Sequence, residues 1–137
     1  MVFSKADYFK AISSEDLNLI NSVLKTITHI PNTEKIAYEG ALIMKKASLV
    51  SGLSDKLSLF KEGRIKLEEA IDLEGENAEF RFLRIIIQEN APGFLGYNDQ
   101  LETDSNFVSG HFSGLTSEVQ NAVRDYSKKS KFLIVHD

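Results

Sequence analysis

Arg81, Arg84 and Gln88 are spaced by three and four positions in a segment that is otherwise rich in apolar residues. Residues at this spacing lie on one face of an α-helix. A planar guanidinium can hold a carboxylate through two parallel hydrogen bonds, so two arginines on one face could bind an acidic ligand. Lys61 and Arg64, on the preceding predicted helix, could join them in one groove. We therefore predict five binding residues: Lys61, Arg64, Arg81, Arg84 and Gln88.

A structural interpretation of the same arginines stays open. An uncompensated buried charge is costly, so a buried arginine needs an acidic partner within the chain. Acids on neighbouring predicted helices could supply that partner, namely Glu39, Glu62, Glu69 or Asp72. In that case the arginines would stabilise the fold and would not meet a ligand.

Other chemistry-bearing residues do not form a recognisable site. His29, His111 and His136 lack the spacing that lets one helix present two metal ligands. The acidic run at 68–79 lacks the glycine and the final glutamate of a calcium loop. The segment 110–114, Gly-His-Phe-Ser-Gly, has one residue too many for a nucleophile elbow. We predict no catalytic residue, no metal site and no cofactor; whether the chain is an enzyme stays open, with a non-catalytic role favoured.

Composition and charge indicate one folded domain spanning residues 1–137. The chain has 137 residues, 42% hydrophobic and 26% charged, and no cysteine, which is typical of a soluble globular domain. Its net charge of −4 disfavours nucleic acid or an anionic membrane as partner, and Lys128, Lys129 and Lys131 are interpreted as a solvated end. The N-terminal residues do not form a secretory signal, and we predict a cytoplasmic location.

Helix starts and stops recur along the chain. Ser4 with Asp7, and Ser13 with Asp16, have the spacing of capping boxes. Pro31 is predicted to end the helix that follows the second box. The next helix carries small residues on its inner face, including Gly40 and Ala41. Small residues let two helices approach closely, so we predict a close helix crossing there.

Later helices are predicted to begin at Ser54, Asn77 and Asp104, with a last amphipathic helix after Thr116. The helix after Asn77 has almost no polar side and is expected to be central. Residues 128–137 form a C-terminal tail, and its apolar run 132–135 is either extended or the frayed end of the last helix. Short links predict antiparallel neighbours, so the fold class is all-α: antiparallel helix hairpins in a repeat-like array or an irregular bundle of six or seven helices.

The segment Ala70-Ile-Asp-Leu-Glu-Gly-Glu-Asn-Ala-Glu79 resembles the junction between two tetratricopeptide repeats, with Gly75 where the family usually has proline. Gly63, Leu67 and Ala70 match the small, large and small positions of the second helix of a repeat. The resemblance covers residues 36–90, and it implies a surface for binding a protein or peptide. The stretch 76–84 is also similar to short uncharacterised bacterial proteins.

Three functions are compatible with the sequence. The favoured one is a non-catalytic helical interaction domain that binds a protein or peptide. The alternatives are a binding protein for a small molecule or acidic ligand, including an enzyme without a recognisable motif, and a structural subunit that self-associates into a homo-oligomer. An open basic groove would favour the peptide, an apolar cavity the small ligand, and a flat apolar face the oligomer.

Overall fold

The computed structural model describes residues 2–135, which form seven α-helices and no β-strand. The predicted all-α fold is confirmed. The helices are α1 (Lys5–Ile12), α2 (Leu17–Thr26), α3 (Asn32–Ala47), α4 (Leu53–Leu73), α5 (Ala78–Asn90), α6 (Leu101–His111) and α7 (Ser117–Ser127). Within the same residues, no helix combines the length and hydropathy needed to cross a membrane.

Contacts along the chain group into two compact units. The N-terminal unit is Met1–Gly75 with α1 to α4, and the C-terminal unit is Glu76–Asp137 with α5 to α7. The expectation of one domain over residues 1–137 stays a prediction.

Local capping explains where several helices begin. The Ser4 hydroxyl accepts a hydrogen bond from the Asp7 amide at 3.1 Å, and the Asn77 side chain accepts one from the Phe80 amide at 3.1 Å. These two predicted caps are confirmed. Each satisfies one backbone amide that has no partner within its helix.

Three predicted helix starts are wrong. Helix α4 begins at Leu53 after Gly52, so Ser54 lies inside its first turn and does not cap it. Asp16, not Ser13, caps α2 through a 3.1 Å hydrogen bond from the Leu19 amide, while Ser13 closes α1. Helix α6 begins at Leu101, so Asp104 lies inside its first turn. The Asp104 side chain accepts hydrogen bonds from residues of α5 and does not cap its own helix.

The N-terminal unit centres on an antiparallel pair, α3 and α4. Gly40 of α3 faces Gly63 of α4 so closely that a Cβ atom added to Gly63 would lie 2.5 Å from the Gly40 carbonyl oxygen. Ala41, next to the contact, is fully buried. The predicted close crossing at Gly40 and Ala41 is confirmed: the helices approach backbone to backbone, where no side chain larger than hydrogen has room.

Helix α1 joins this pair through aromatic residues. The Tyr8 hydroxyl donates to the Tyr38 carbonyl oxygen of α3 at 2.8 Å. The two rings lie 4.8 Å apart between centroids, and both side chains are fully buried. Because the buried hydroxyl has a partner, its burial adds apolar contact without leaving a polar atom unsatisfied.

Helix α5 is the most buried element of the C-terminal unit. Every residue from Phe82 to Gln88 is buried, as its lack of a polar side predicts. Helix α6 runs antiparallel to α5. Near the end of α5, the Gln88 side-chain oxygen accepts a hydrogen bond from the Gln100 backbone amide just before α6, whereas Arg81, earlier in α5, lies over the Phe107 ring in the second half of α6. The antiparallel packing places Arg81, Arg84 and Gln88 of α5 within hydrogen-bond distance of Asp104 on α6.

Candidate functional site

Asp104 of α6 is the point where Arg81, Arg84 and Gln88 converge. Its carboxylate is fully buried and accepts from Arg84 Nε at 2.7 Å and from Arg84 Nη2 at 2.8 Å. Gln88 Nε2 donates to it at 2.9 Å, and Arg81 Nη1 lies 3.4 Å away. This is a bidentate guanidinium–carboxylate pair with two further donors, which compensates the buried charge.

The arginine face is thus engaged by an acid of the same chain. The grip that the sequence predicts for a carboxylate is made with Asp104, which was not among the four acids considered as partners. Lys61 and Arg64 lie on α4 in the N-terminal unit, whereas the other three predicted binding residues lie on α5 in the C-terminal unit. The groove formed by all five residues stays a prediction.

Arg81 also packs against aromatic side chains of α6. Its guanidinium lies 4.2 Å from the centroid of the Phe107 ring, and His111 stacks on Phe107 at 3.9 Å. The contact between a cation and the face of an aromatic ring is attractive. Among the side chains that the structure describes, no group of three histidine or acidic residues is placed to hold a metal ion.

Two serines on α6 differ in how their hydroxyls are satisfied. Ser105 Oγ is buried and forms no hydrogen bond within residues 2–135, whereas Ser109 Oγ donates to the Ile134 carbonyl oxygen. Because a buried hydroxyl without a partner is destabilising, we expect Ser105→Ala to raise the free energy of unfolding by about 0.5–1 kcal/mol.

The matched substitution Ser109→Ala removes a hydroxyl that has a partner, and we expect it to lower stability by about 1 kcal/mol. Urea unfolding followed by circular dichroism measures both values. If both variants lost the same stability, Ser105 would have a hydrogen-bond partner after all.

An open pocket of about 490 Å³ lies at the C-terminal end of α5. Its lining combines polar and charged side chains, including the Glu89 carboxylate, with apolar ones, including the exposed ring of Phe132. The residues that give it this character are Asn90, Asn98, Tyr126, Lys129, Lys131 and Phe132. We call it the basic pocket.

Glu89, at the end of α5, holds one wall of the basic pocket in place. Its carboxylate accepts from the Tyr126 hydroxyl at 2.9 Å, from the Ser130 hydroxyl at 2.7 Å and from the Lys131 backbone amide at 2.7 Å. We call these three hydrogen bonds the tail latch. They tie the segment after α7 to α5, and hydrogen bonds to a charged acceptor are stronger than neutral ones.

The described part of the C-terminal tail, residues 128–135, is anchored and does not continue α7. After the turn that ends α7, Ser130 Oγ accepts from the amides of Phe132 at 3.1 Å and Leu133 at 2.9 Å. The Leu133 side chain is 1% exposed, so its burial also holds the tail against the protein. This settles the conformation for 128–135; residues 136 and 137 lie outside the described part.

Tyr126 links the latch to the helix end. Its hydroxyl donates to the Glu89 carboxylate and accepts from Nδ2 of the Asn90 side chain at 3.0 Å. Burial, together with the hydrogen bond to the Glu89 carboxylate and its charge, raises the pKa of Tyr126 well above the usual value. The phenol therefore stays protonated and acts as a donor at physiological pH.

Two cations of the C-terminal unit, Lys129 and Lys131, line this pocket. The unit has six lysines and arginines against nine acids in its sequence, and four of the six lie between Arg124 and Lys131. The other two pair with Asp104. Within the described part of the unit, Lys128 pairs with Asp125, whereas Lys129 and Lys131 form no ion pair. The Lys129 ammonium lies 5.4 Å from the centroid of the Tyr126 ring, so this acidic unit presents at one place two ammonium groups that have no carboxylate partner among the described residues.

Sequence reasoning missed this arrangement because it interpreted the three lysines as a solvated end. The apolar run Phe-Leu-Ile-Val at 132–135 was the available signal, since an apolar segment after a basic cluster tends to fold back onto the protein. No pattern in the residues around Glu89 predicts that its carboxylate binds the tail.

Comparison of the chain with protein-family models, with curated proteins and with solved structures gave no match. The tetratricopeptide resemblance therefore stays a prediction.

Proposed function

We propose that this chain is a non-catalytic helical interaction domain that binds an acidic peptide segment of a partner protein in the basic pocket. The observation that carries the proposal is the collection of unpaired cations, Lys129 and Lys131, around an open pocket in an otherwise acidic unit. Such a site attracts anions by local field although the chain's net charge is negative.

The remaining pocket walls support a peptide as the ligand. Phe132 is 46% exposed at the rim and can cover an apolar side chain of a bound segment. Asn98 also lines the pocket, and its side-chain amide can donate to and accept from a peptide backbone, whereas Asn90, whose Nδ2 already donates to Ile86 and Tyr126, can accept through Oδ1. Because the tail latch fixes the wall beforehand, little ordering is needed on binding.

The test is a binding assay with a defined peptide panel. Acidic, neutral and basic peptides of equal length are screened on an array, and the strongest acidic binder is measured by fluorescence anisotropy. We expect Lys129→Ala/Lys131→Ala to weaken it by at least about tenfold, because two charge-assisted contacts are removed. Added salt should weaken the wild-type complex as well.

A control variant matches the change in net charge. Lys10→Ala/Lys25→Ala removes two exposed lysines of the N-terminal unit and should leave the affinity unchanged. Equal losses in both double variants would mean that only net charge is sensed, and absence of any preference for acidic peptides would contradict the proposal.

Free glutamate serves as a competitor that separates peptide from small ligand. A peptide site uses contacts along several residues, so free glutamate should compete only weakly. Competition as strong as that of the peptide itself would favour a small acidic ligand instead.

A further inference from the structure

Ser130 is the central residue of the tail latch. Its hydroxyl donates to Glu89 at 2.7 Å and accepts from the amides of Phe132 and Leu133. A hydroxyl has one proton to donate and two lone pairs, so all of its hydrogen-bonding capacity is used. Any group added to this oxygen must disrupt the latch.

The surroundings of Ser130 are those of a substrate for a basic-directed enzyme. Lys128 and Lys129 precede it and Lys131 follows it. The serine lies beyond α7 in a partly exposed, non-helical segment, which an enzyme can take up in extended form. Protein kinases select substrates through charge patterns of this kind.

We propose that Ser130 is a phosphorylation site that switches the basic pocket off. Its oxygen would attack the γ-phosphorus of a nucleoside triphosphate bound to a kinase. The bond from that phosphorus to the bridging oxygen breaks as the new bond forms, the nucleoside diphosphate leaves, and the hydroxyl proton passes to a base of the kinase. Since both lone pairs of Ser130 accept hydrogen bonds from the Phe132 and Leu133 amides in the folded tail, transfer takes place after the tail has opened.

The first consequence is that the latch cannot close again. The phosphorylated oxygen has no proton for Glu89, and a dianionic group would stand beside the Glu89 carboxylate. Like charges at hydrogen-bond distance repel, and the phosphate disrupts the contact. The hydrogen bonds from Tyr126 and Lys131 to Glu89 remain available, but the turn from Ser130 to Leu133 loses the hydroxyl that accepts from the Phe132 and Leu133 amides.

The second consequence rests on the proposed function. The phosphate would lie in the chain between Lys129 and Lys131, the two cations that are proposed to hold an acidic peptide. A tethered anion has a high effective concentration at neighbouring cations. It therefore competes with a peptide for them, which adds to the loss of the pocket wall.

The decisive experiment starts with the full chain isolated from its native cells in the presence of phosphatase inhibitors. We expect mass spectrometry to find a phosphoryl group on Ser130 in part of the molecules and none on Ser127. Phosphorylation of purified chain by a basic-directed serine kinase should give the same product. Native chain unmodified at Ser130, or modified only at Ser127, would overturn the proposal.

Two readouts separate this inference from the proposed function. Amide hydrogen exchange of residues 131–135, measured without peptide, should become about tenfold faster or more on phosphorylation, because the latch is released. Ser130→Ala should also speed this exchange, and the matched variant Ser127→Ala should not. Unchanged exchange in the phosphorylated chain would overturn the switch even if peptides bind.

Affinity for the acidic peptide is the second readout. It should fall by at least about tenfold in the phosphorylated chain, and by less in Ser130→Ala, which lacks the competing charge. Full peptide affinity in the phosphorylated chain would overturn the switch. Absence of peptide binding in the unmodified chain, with exchange still accelerated by phosphorylation, would contradict the proposed function and leave the latch as a modification-sensitive element.

Discussion

Asp104→Ala is expected to lower the free energy of unfolding by about 3–5 kcal/mol, the largest effect of any substitution considered. The carboxylate is fully buried and accepts from Arg84 twice and from Gln88 once. Removing it leaves the buried Arg84 guanidinium without its counter-ion. Thermal and urea unfolding, followed by circular dichroism, measure the loss.

The neighbouring variant Glu102→Ala is the matched control. Glu102 is an exposed acid in the same first turn of α6, so its removal should cost only about 0.3–1 kcal/mol, through the helix dipole. The double variant Asp104→Leu/Arg84→Met should recover much of the lost stability, because apolar side chains of similar volume can replace a buried ion pair. An Asp104→Ala loss no larger than that of Glu102→Ala would show that Asp104 is hydrated and unpaired.

Gly63→Ala is expected to be the second most damaging change, with a loss of about 3 kcal/mol through overpacking. The added Cβ would meet the Gly40 carbonyl oxygen at 2.5 Å and the Met44 amide nitrogen at 3.0 Å. Both are backbone atoms, so the clash cannot be relieved by rotating a side chain. Helices α3 and α4 would have to move apart.

The same substitution at another helical glycine should have the opposite sign. A Cβ on Gly110 of α6 meets no atom within 4 Å, so Gly110→Ala should raise stability by about 0.5–1 kcal/mol through helix propensity. Measured midpoints of urea unfolding compare the two. A neutral Gly63→Ala variant would mean that α3 and α4 are further apart than the structure places them.

Features set by neighbouring residues could be predicted from the sequence. Ser4 and Asn77 cap helices because the bonded amides lie three residues ahead, and such short spacings are visible in the chain. The crossing at Gly40 followed from a run of small residues. Where two local patterns overlapped, as at Ser13 and Asp16, the prediction chose the wrong cap.

Partners distant in the sequence could not be predicted. Arg84 and Asp104 are 20 residues apart, and Glu89 and Ser130 are 41 residues apart. Each pairing depends on which helix faces are brought together, and many acids could satisfy a given arginine equally well by type alone. The sequence therefore marked Arg84 as needing a partner without identifying Asp104.

The proposed binding site lies at the tail and not on the arginine face, because the partners of both sets of cations are distant in the sequence. Arg81 and Arg84 have the chemistry to bind a carboxylate, but an acid of the same chain already engages them. In the sequence, Lys129 and Lys131 resemble an ordinary basic chain end. In the structure, Glu89 holds the tail that carries them against α5. Only the folded structure shows which cations are available.

A nuclear magnetic resonance map of the ligand-binding surface tests the central claim most directly. Isotope-labelled full chain is titrated with the acidic peptide selected from the panel, and shifts of the backbone amides are followed. We expect the largest shifts at the end of α5, near Asn98, and in residues 126–133. Shifts centred instead on Lys61 and Arg64 of α4, or no shifts at saturating peptide, would contradict the basic pocket as the binding site.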